Sequence, residues 1–520
     1  MYPIERNLSL KFTACFLLGT FACLYLNLFV PPFTPICLGE DEGNWLLDAM
    51  RMLRGQVIYR DFFQFTAPGT QWVYFVLFVW LGPRTWVPNV LLILLGLGLV
   101  WLSVVISKRV MRGSAVFLPG LLFLTLAFRR AFAVTHHWWN ELAVMGAIAV
   151  VIEGTTPARI AVAGLLCGLA LWFNQTQGLL AVLGFGAFLF WESRQKKLHW
   201  RAALKRQGLL FTAFLATATV AYAHFLREAG ARRFFDCTVT FVVRYCPAFT
   251  GGSPWKFYLE DMPHPIHWHT LPRLGAYLFI RALLPLAYII FVICYRREAR
   301  TRLREPWDRM MLLAILGLFL FIGIVPAASW FRFCTVSLPG FILLVWLLNR
   351  SARFSKGSTR ALWLLSLLFA AGEPWWWQRH WRAYLSTPGG RTAFVIPELY
   401  DKYEWVFLRT RPSEAFFEAV DSDIYFTLGL NNPAEVPFVT ATDFTRPQQV
   451  QGVIDALREH RVRYVLWSKA LDSGSDSLAK GDHLEPLRKY LRDRYQVVKT
   501  FPDFEQIWEL KEVGTDRQAR

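Results

Sequence analysis

The chain is poor in the features that mark most other protein classes. It has 8 Cys in 520 residues, none in a C-x-x-C pair. No His/Cys group has zinc spacing either, so the common zinc modules and thioredoxin-like redox motifs are excluded. No glycine-rich phosphate loop occurs, and nothing points to a nucleotide or nucleotide-sugar site. There is no internal repeat, and the one low-complexity piece is SKALDSGSDSLAKGD at 468–482. Acids are scarce before the tail: residues 1–376 hold 17 Asp+Glu against 36 Lys+Arg, whereas residues 377–520 hold 21 against 20. The net charge of +18 therefore belongs to the first part, mostly in short loops between apolar runs. That distribution fits the inner loops of a membrane protein and not a nucleic-acid surface.

What the chain has in abundance is apolar surface: 54% hydrophobic residues, with 23 Trp and 44 Phe. Runs of this kind predict a polytopic α-helical membrane protein. Spans are expected near 8–30, 86–107, 114–132, 138–153, 158–174, 176–192, 208–228, 271–294, 309–326, 332–348 and 361–376, about eleven in all. Some are shorter than the roughly 20 residues of a full crossing. The short run 72–82 reads as a helix leading into the second span and ended at Gly82-Pro83.

Arg6 and Lys11 precede the first span, and further basic clusters lie at 108–112, 194–206, 296–309 and 350–360. With an odd number of spans all of them fall on one side, which is then cytoplasmic. The first apolar run lacks a small-residue cleavage site and reads as an uncleaved anchor. The loop 31–85 with its interfacial helices, the loop 229–270 and the tail are expected outside. Two domains follow: 1–376 in the membrane, and 377–520 as a soluble extracytoplasmic α/β domain. In the tail, helices are predicted at 447–462 and 483–495, a buried strand at 463–468, and a closing hairpin from 496–501 and 505–512. Cys237 and Cys246 share the outer loop; a disulfide is permitted there and not required.

The stretch CLGEDEGNWLLDAMRMLRGQVIYRDFFQFTAPGTQ (37–71) organises the rest. Glu40, Asp41, Glu42, Asp48 and Asp61 follow directly on a span, which suggests a wet position near the bilayer surface. Trp45, Leu46, Ala49, Met50 and Leu53 have helical spacing, so the acids are expected at the start of an amphipathic helix lying along the membrane. An acidic surface loop would read the same way. Chemistry on a lipid-linked substrate needs a carboxylate to take a proton and cations to hold a phosphate. Asp41 and Glu42 meet the first need. Arg129, Arg130, Arg244, Arg281 and Arg332 are the cations expected on the outer side, each of which could instead snorkel or pair structurally. His136 and His137 are adjacent on a helix and should diverge, which favours a polar span edge over a metal site. Asn174, Gln175 and Gln177 form a polar turn able to hydrogen-bond a sugar or phosphate.

With these residues in view, the chain resembles the GT-C superfamily of polyprenyl-phosphate-dependent glycosyltransferases. The branch is that of the protein O-mannosyltransferases and the aminoarabinose transferase of lipid A. The resemblance rests on DEG at 41–43, LLDAMRMLRGQVIYRDF at 46–62 and the APG turn at 67–69. GLLCGLALWFNQTQGLL (164–180) and RFCTVSLPGFILL (332–344) are similar to later family segments. The 164–180 segment departs from the pattern, since relatives often carry a lysine near NQTQ. The resemblance implies an acceptor-activating aspartate at Asp41 with Glu42 beside it. Donor or acceptor contacts are placed among Arg129, Arg130, His136, His137, Arg244, Arg281, Arg332, Tyr59, Asp61 and Gln175. It implies an inverting transfer of a sugar from a polyprenyl-phosphate donor to a glycan, lipid or protein hydroxyl at the outer face of a bacterial inner membrane. No nucleotide sugar is needed, no cofactor is assigned, and a divalent metal is left open. Membrane lipid is an expected partner and nucleic acid is not. The alternative is a non-catalytic transporter or export partner that binds lipid-linked sugars; against it, the acids lie at the surface and no repeat is present.

Overall fold

The computed structural model describes residues 3–39, 42–130, 132–249, 270–302, 305–350, 355–379, 381–472 and 481–511. Helices overlie each of the eleven expected segments. Among the described residues five are long and apolar enough to cross a membrane: Leu10–Leu28, Trp86–Ser107, Trp200–Ala229, Arg273–Glu298 and Trp307–Ile324. Shorter apolar helices, Gly69–Leu81, Leu118–Ala127, Pro157–Phe173 and Leu338–Arg350, fill the bundle between them. The chain is an integral membrane protein by this architecture.

Local chemistry explains where these helices stop and how close they come. Asn174 is extended, and its side chain accepts from Gln177 N at 3.0 Å. It therefore caps the helix Gln175–Gln195 and separates it from Pro157–Phe173. Gly164 and Gly168 are four residues apart on the helix Pro157–Phe173. A Cβ on Gly168 would lie 2.8 Å from Phe214 O, so a side chain there would push away the helix Trp200–Ala229. This small-residue seam is the physical content of the GLLCG segment.

One expected span differs. The run 332–348 is two pieces, Trp330–Thr335 and Leu338–Arg350, interrupted at Val336 and Ser337. Ser329 caps the first piece by accepting from Arg332 N at 3.3 Å, and Pro339 sits in the first turn of the second. A wide π turn, Phe279–Leu283, interrupts the helix that runs from Leu271 to Glu298 and carries Arg281.

The basic loops meet at one end of the bundle. Arg309 donates to Arg109 O at 2.6 Å, Arg109 pairs with Glu153, and Arg350 pairs with Glu298 at 2.7 Å. Thr155 and Lys196 both contact Glu192 there. The turns around Glu42, Thr135, Asn174 and Ser329 lie at the opposite helix ends.

The tail hairpin, strand and two helices stand where the sequence places them: Pro447–Glu459, β6 (Tyr464–Ser468), Glu485–Arg494, β7 (Tyr495–Thr500) and β8 (Glu505–Leu510). The sequence reading missed the hairpin β3–β4 (Ala383–Thr387, Gly390–Phe394), the helix Pro397–Phe407, β5 (Phe416–Glu418) and the short helix Asp423–Leu428. β5 runs parallel to β6, and the sheet order is β5-β6-β8-β7. Near the N-terminus, β1 (Phe29–Val30) and β2 (Thr34–Pro35) form a small antiparallel pair. Ile58, Tyr59, Phe62 and Phe63 of the outer loop share one apolar cluster with Phe417, Val453 and Leu457 of the tail.

Candidate active site

The helix predicted from Trp45 onward spans Glu42–Leu53. Its setting differs from the expectation of a wet, membrane-surface helix. Glu42 is 1% exposed and Asp48 is fully buried, and most of the helix is buried with them, with Asn44, Met50 and Leu53 half-buried. The reason is that the C-terminal part covers the face that would otherwise meet water. Arg51 crosses that junction, donating to Ala434 O at 2.6 Å and lying 5.1 Å from the Phe62 ring.

Glu42 is the anchor. Its Oε1 accepts from Tyr74 Oη at 2.5 Å and from Val134 N at 3.0 Å. Val134 leads into the helix His136–Val151, so one carboxylate ties together three elements. Asp41 itself lies outside the described residues. Asp48 Oδ2 accepts from Gln64 Nε2 at 2.7 Å and from Gln71 Nε2 at 3.5 Å. Burial pushes its carboxyl up to about 6, against the opposing charge of Arg51.

A chain of rings runs from the acidic turn to the cations. Trp45 stands edge-on to His136 with centroids 5.3 Å apart. His136 and His137 lie 4.1 Å apart with planes tilted by 33°. The expectation that they diverge fails because they occupy the first turn of their helix, where the rings fold over one another. His137 Nδ1 lies 3.2 Å from Asn174 Nδ2, and its ring stands edge-on to Phe331 at 5.3 Å. The charge of Arg332 acts on both histidines. Beyond it, Arg281 donates to the Tyr277 hydroxyl and lies 5.8 Å from the Phe333 ring. Arg273 sits 5.7 Å from the Trp330 ring. Glu42, His136, His137, Arg332 and Arg281 are thus brought into one neighbourhood.

The remaining candidates have the following partners. Arg129 donates to Asn27 Oδ1 at 2.9 Å and to Phe369 O at 3.2 Å, stitching the first and last bundle helices. The Arg130 side chain lies outside the described residues. Arg244 is exposed, with its guanidinium 5.5 Å from the Tyr245 ring. Tyr59 is fully buried with φ of 70°, and its hydroxyl donates to Thr66 O at 2.7 Å. Asp61 accepts from Val57 N at 2.7 Å and pairs with Arg60 at 2.9 Å. Gln175 donates to Phe65 O at 2.9 Å and accepts from Ala67 N at 3.2 Å. Tyr59, Asp61 and Gln175 therefore build the outer loop. Cys237 and Cys246 are both free thiols. No group of three His, Cys, Asp or Glu converges as a metal site among the described residues.

Several participants escaped the sequence reading. Tyr74 is one aromatic among many in its run. Arg273, Tyr277 and Trp330 have helical or turn spacing that signals nothing by itself. Glu141 is fully buried, and neither carboxylate oxygen has a hydrogen-bond partner among the described residues. Its place in WWNE, just past the histidines, was the available signal.

No family model and no curated protein matches the sequence. Solved structures do match it in shape. ArnT from Cupriavidus metallidurans bound to undecaprenyl phosphate superposes with a TM-score of 0.59 at 14% identity, over 96% of this chain and 98% of its own. This chain shares the fold of that structure. The archaeal oligosaccharyltransferase AglB from Archaeoglobus fulgidus, in complex with an inhibitory peptide and a dolichol-phosphate, superposes with a TM-score of 0.54 at 11% identity. That match covers 99% of this chain and 76% of AglB. The shared fold has a helical membrane part followed by an α/β part with a sheet.

Proposed function

We propose that this chain is an integral membrane glycosyltransferase. It moves a sugar from a polyprenyl-phosphate donor to a hydroxyl acceptor, with inversion at the anomeric carbon. Asp41 takes the proton of the acceptor hydroxyl as the new C1–O bond forms. The C1–O bond to phosphate breaks, and its electron pair leaves with the polyprenyl phosphate. Arg332, with Arg281 behind it, stabilises the charge that builds on the departing phosphate. Glu42 fixes the base by tying the acidic turn to Tyr74 and Val134.

The observation that carries this reading is the junction of the acidic turn with Arg332 across the His136–His137 pair, at the helix ends opposite the basic loops. Trp45 of the helix that starts at Glu42 lies on one side of the histidine pair and Phe331-Arg332 on the other, which supports a proton acceptor in the acidic segment and an anion-binding cation opposite it. The polyprenyl phosphates bound by the two structural neighbours support the same donor class. With basic loops inside, the site and the tail face the extracytoplasmic side of a bacterial inner membrane. The acceptor is a glycan, lipid or protein hydroxyl.

Glu141 favours a second reading, a transporter of lipid-linked sugars, because an unpartnered intramembrane carboxyl often marks a coupling site. One experiment separates the two. The purified protein in nanodiscs is incubated with radiolabelled polyprenyl-phosphate sugars and a cell-envelope acceptor fraction. The proposed function predicts label in the acceptor, abolished by Asp41→Asn. Label that crosses a liposome membrane still attached to its lipid, with none transferred, supports the transporter.

A further inference from the structure

The turn that carries the acids hangs from the C-terminal part of the chain. Ile36 forms a parallel bridge with Ala393, and Cys37 N donates to Ala393 O at 2.8 Å. The Cys37 thiol contacts Thr427 and Tyr403; burial foremost, then the charges of Asp423 and Glu42, push it up to about 12. Asn44 Oδ1 accepts from Ser422 Oγ at 2.7 Å.

Between these ties lies Asp423, the first residue of the helix Asp423–Leu428. A Cβ on Gly39 would stand 3.1 Å from Asp423 Oδ2. A Cβ on Gly43 would stand 2.7 Å from Asp423 Cα and 2.8 Å from its N, with Oδ1 closer still. Neither glycine has a positive φ. The DEG glycine is therefore needed for close approach and not for backbone freedom. Side chains at 39 and 43 would fill the hollow that Asp423 occupies.

The geometry points to Asp423 as a positioning residue: packed against Gly39 and Gly43, it sets where the Glu42 carboxylate stands beside Tyr74 and Val134. The inference rests on the reading of that turn as catalytic. A displacement of about 1 Å in such a group costs roughly 100-fold in rate.

The test uses the full-length protein in nanodiscs, with donor KM, kcat per folded molecule and Tm measured for each variant. Asp423→Ala should lower kcat about 100-fold with donor KM and Tm near the wild-type values. Asp423→Asn keeps an oxygen in the hollow and should recover most of that loss. Ser422→Ala, which removes only the tie to Asn44, should lower kcat less. A wild-type kcat in Asp423→Ala while Asp41→Asn is inactive overturns the positioning role and leaves the functional reading intact. Full activity in Asp41→Asn, in Glu42→Gln and in the double variant overturns the functional reading instead. Where Asp423→Ala does not fold, Ser422→Ala decides: lowered kcat at unchanged Tm supports the role, and wild-type kcat overturns it.

Discussion

The carboxylate of Glu42 and the hydroxyl of Tyr74 meet at 2.5 Å inside the protein, where Glu42 is 1% exposed. This bond joins the first turn of the acidic helix to the helix Gly69–Leu81. Hydrogen bonds to charged groups contribute on the order of 1.5–3 kcal/mol. Tyr74→Phe removes the donor and keeps the ring. We expect a lower Tm and a reduced kcat, with Glu42→Gln showing a smaller Tm change because an amide oxygen still accepts. A Tyr74→Phe variant with wild-type Tm and kcat would show that the bond contributes nothing.

Asp48 gives a pH signature. Its carboxyl is raised from 3.8 to about 6 by burial, so the folded state prefers it neutral. The associated stability is fully present below pH 3.8 and is lost as pH rises to about 6. A shift of about two pK units corresponds to roughly 3 kcal/mol. Asp48→Asn keeps an oxygen for Gln64 and removes the titration. Its Tm should exceed wild type at pH 7.5 and approach it near pH 4, and an equal difference at both values would contradict the assignment.

Arg129 donates to Asn27 and Phe369 of the first and last bundle helices, and the charge of Arg332 acts on the histidine pair. Arg332→Gln should raise donor KM about 10–100-fold, the loss of a charge-assisted phosphate contact, with Tm little changed. Arg129→Gln should mainly lower Tm. Donor titrations and melting curves on both variants check the contrast; the opposite pattern would exchange their roles.

The membrane orientation is open to a direct check. Reporter fusions at residue 200 and after residue 511 should report opposite sides, cytoplasmic and extracytoplasmic. Two cytoplasmic reporters would put the acidic turn on the wrong face for the proposed donor geometry.

Periodicity and charge made much of this architecture legible. Long apolar runs signal helices whatever they pack against, and the basic loops cluster because their side chains share one aqueous face. The last helices and hairpin of the tail have clear amphipathic or alternating patterns. What sequence could not show was long-range coverage. Glu42 and Asp48 read as wet because a carboxylate's burial depends on what packs over it, here Arg51 with its carbonyl partners and the helix at Asp423. Tyr59, Asp61 and Gln175 read as site residues because polar side chains look alike whether they hold a ligand or a loop. The short strand at 416–418 and the helix at 423–428 are too brief to carry a period.

The central claim is that the acidic turn supplies the base for glycosyl transfer. Its most direct test is turnover by purified Asp41→Asn under saturating donor, with donor binding measured on the same sample. Removal of a positioned general base should lower kcat by about 10²–10⁴ while binding and expression stay at wild-type levels. Near-normal turnover in Asp41→Asn, in Glu42→Gln and in the double variant would contradict the account.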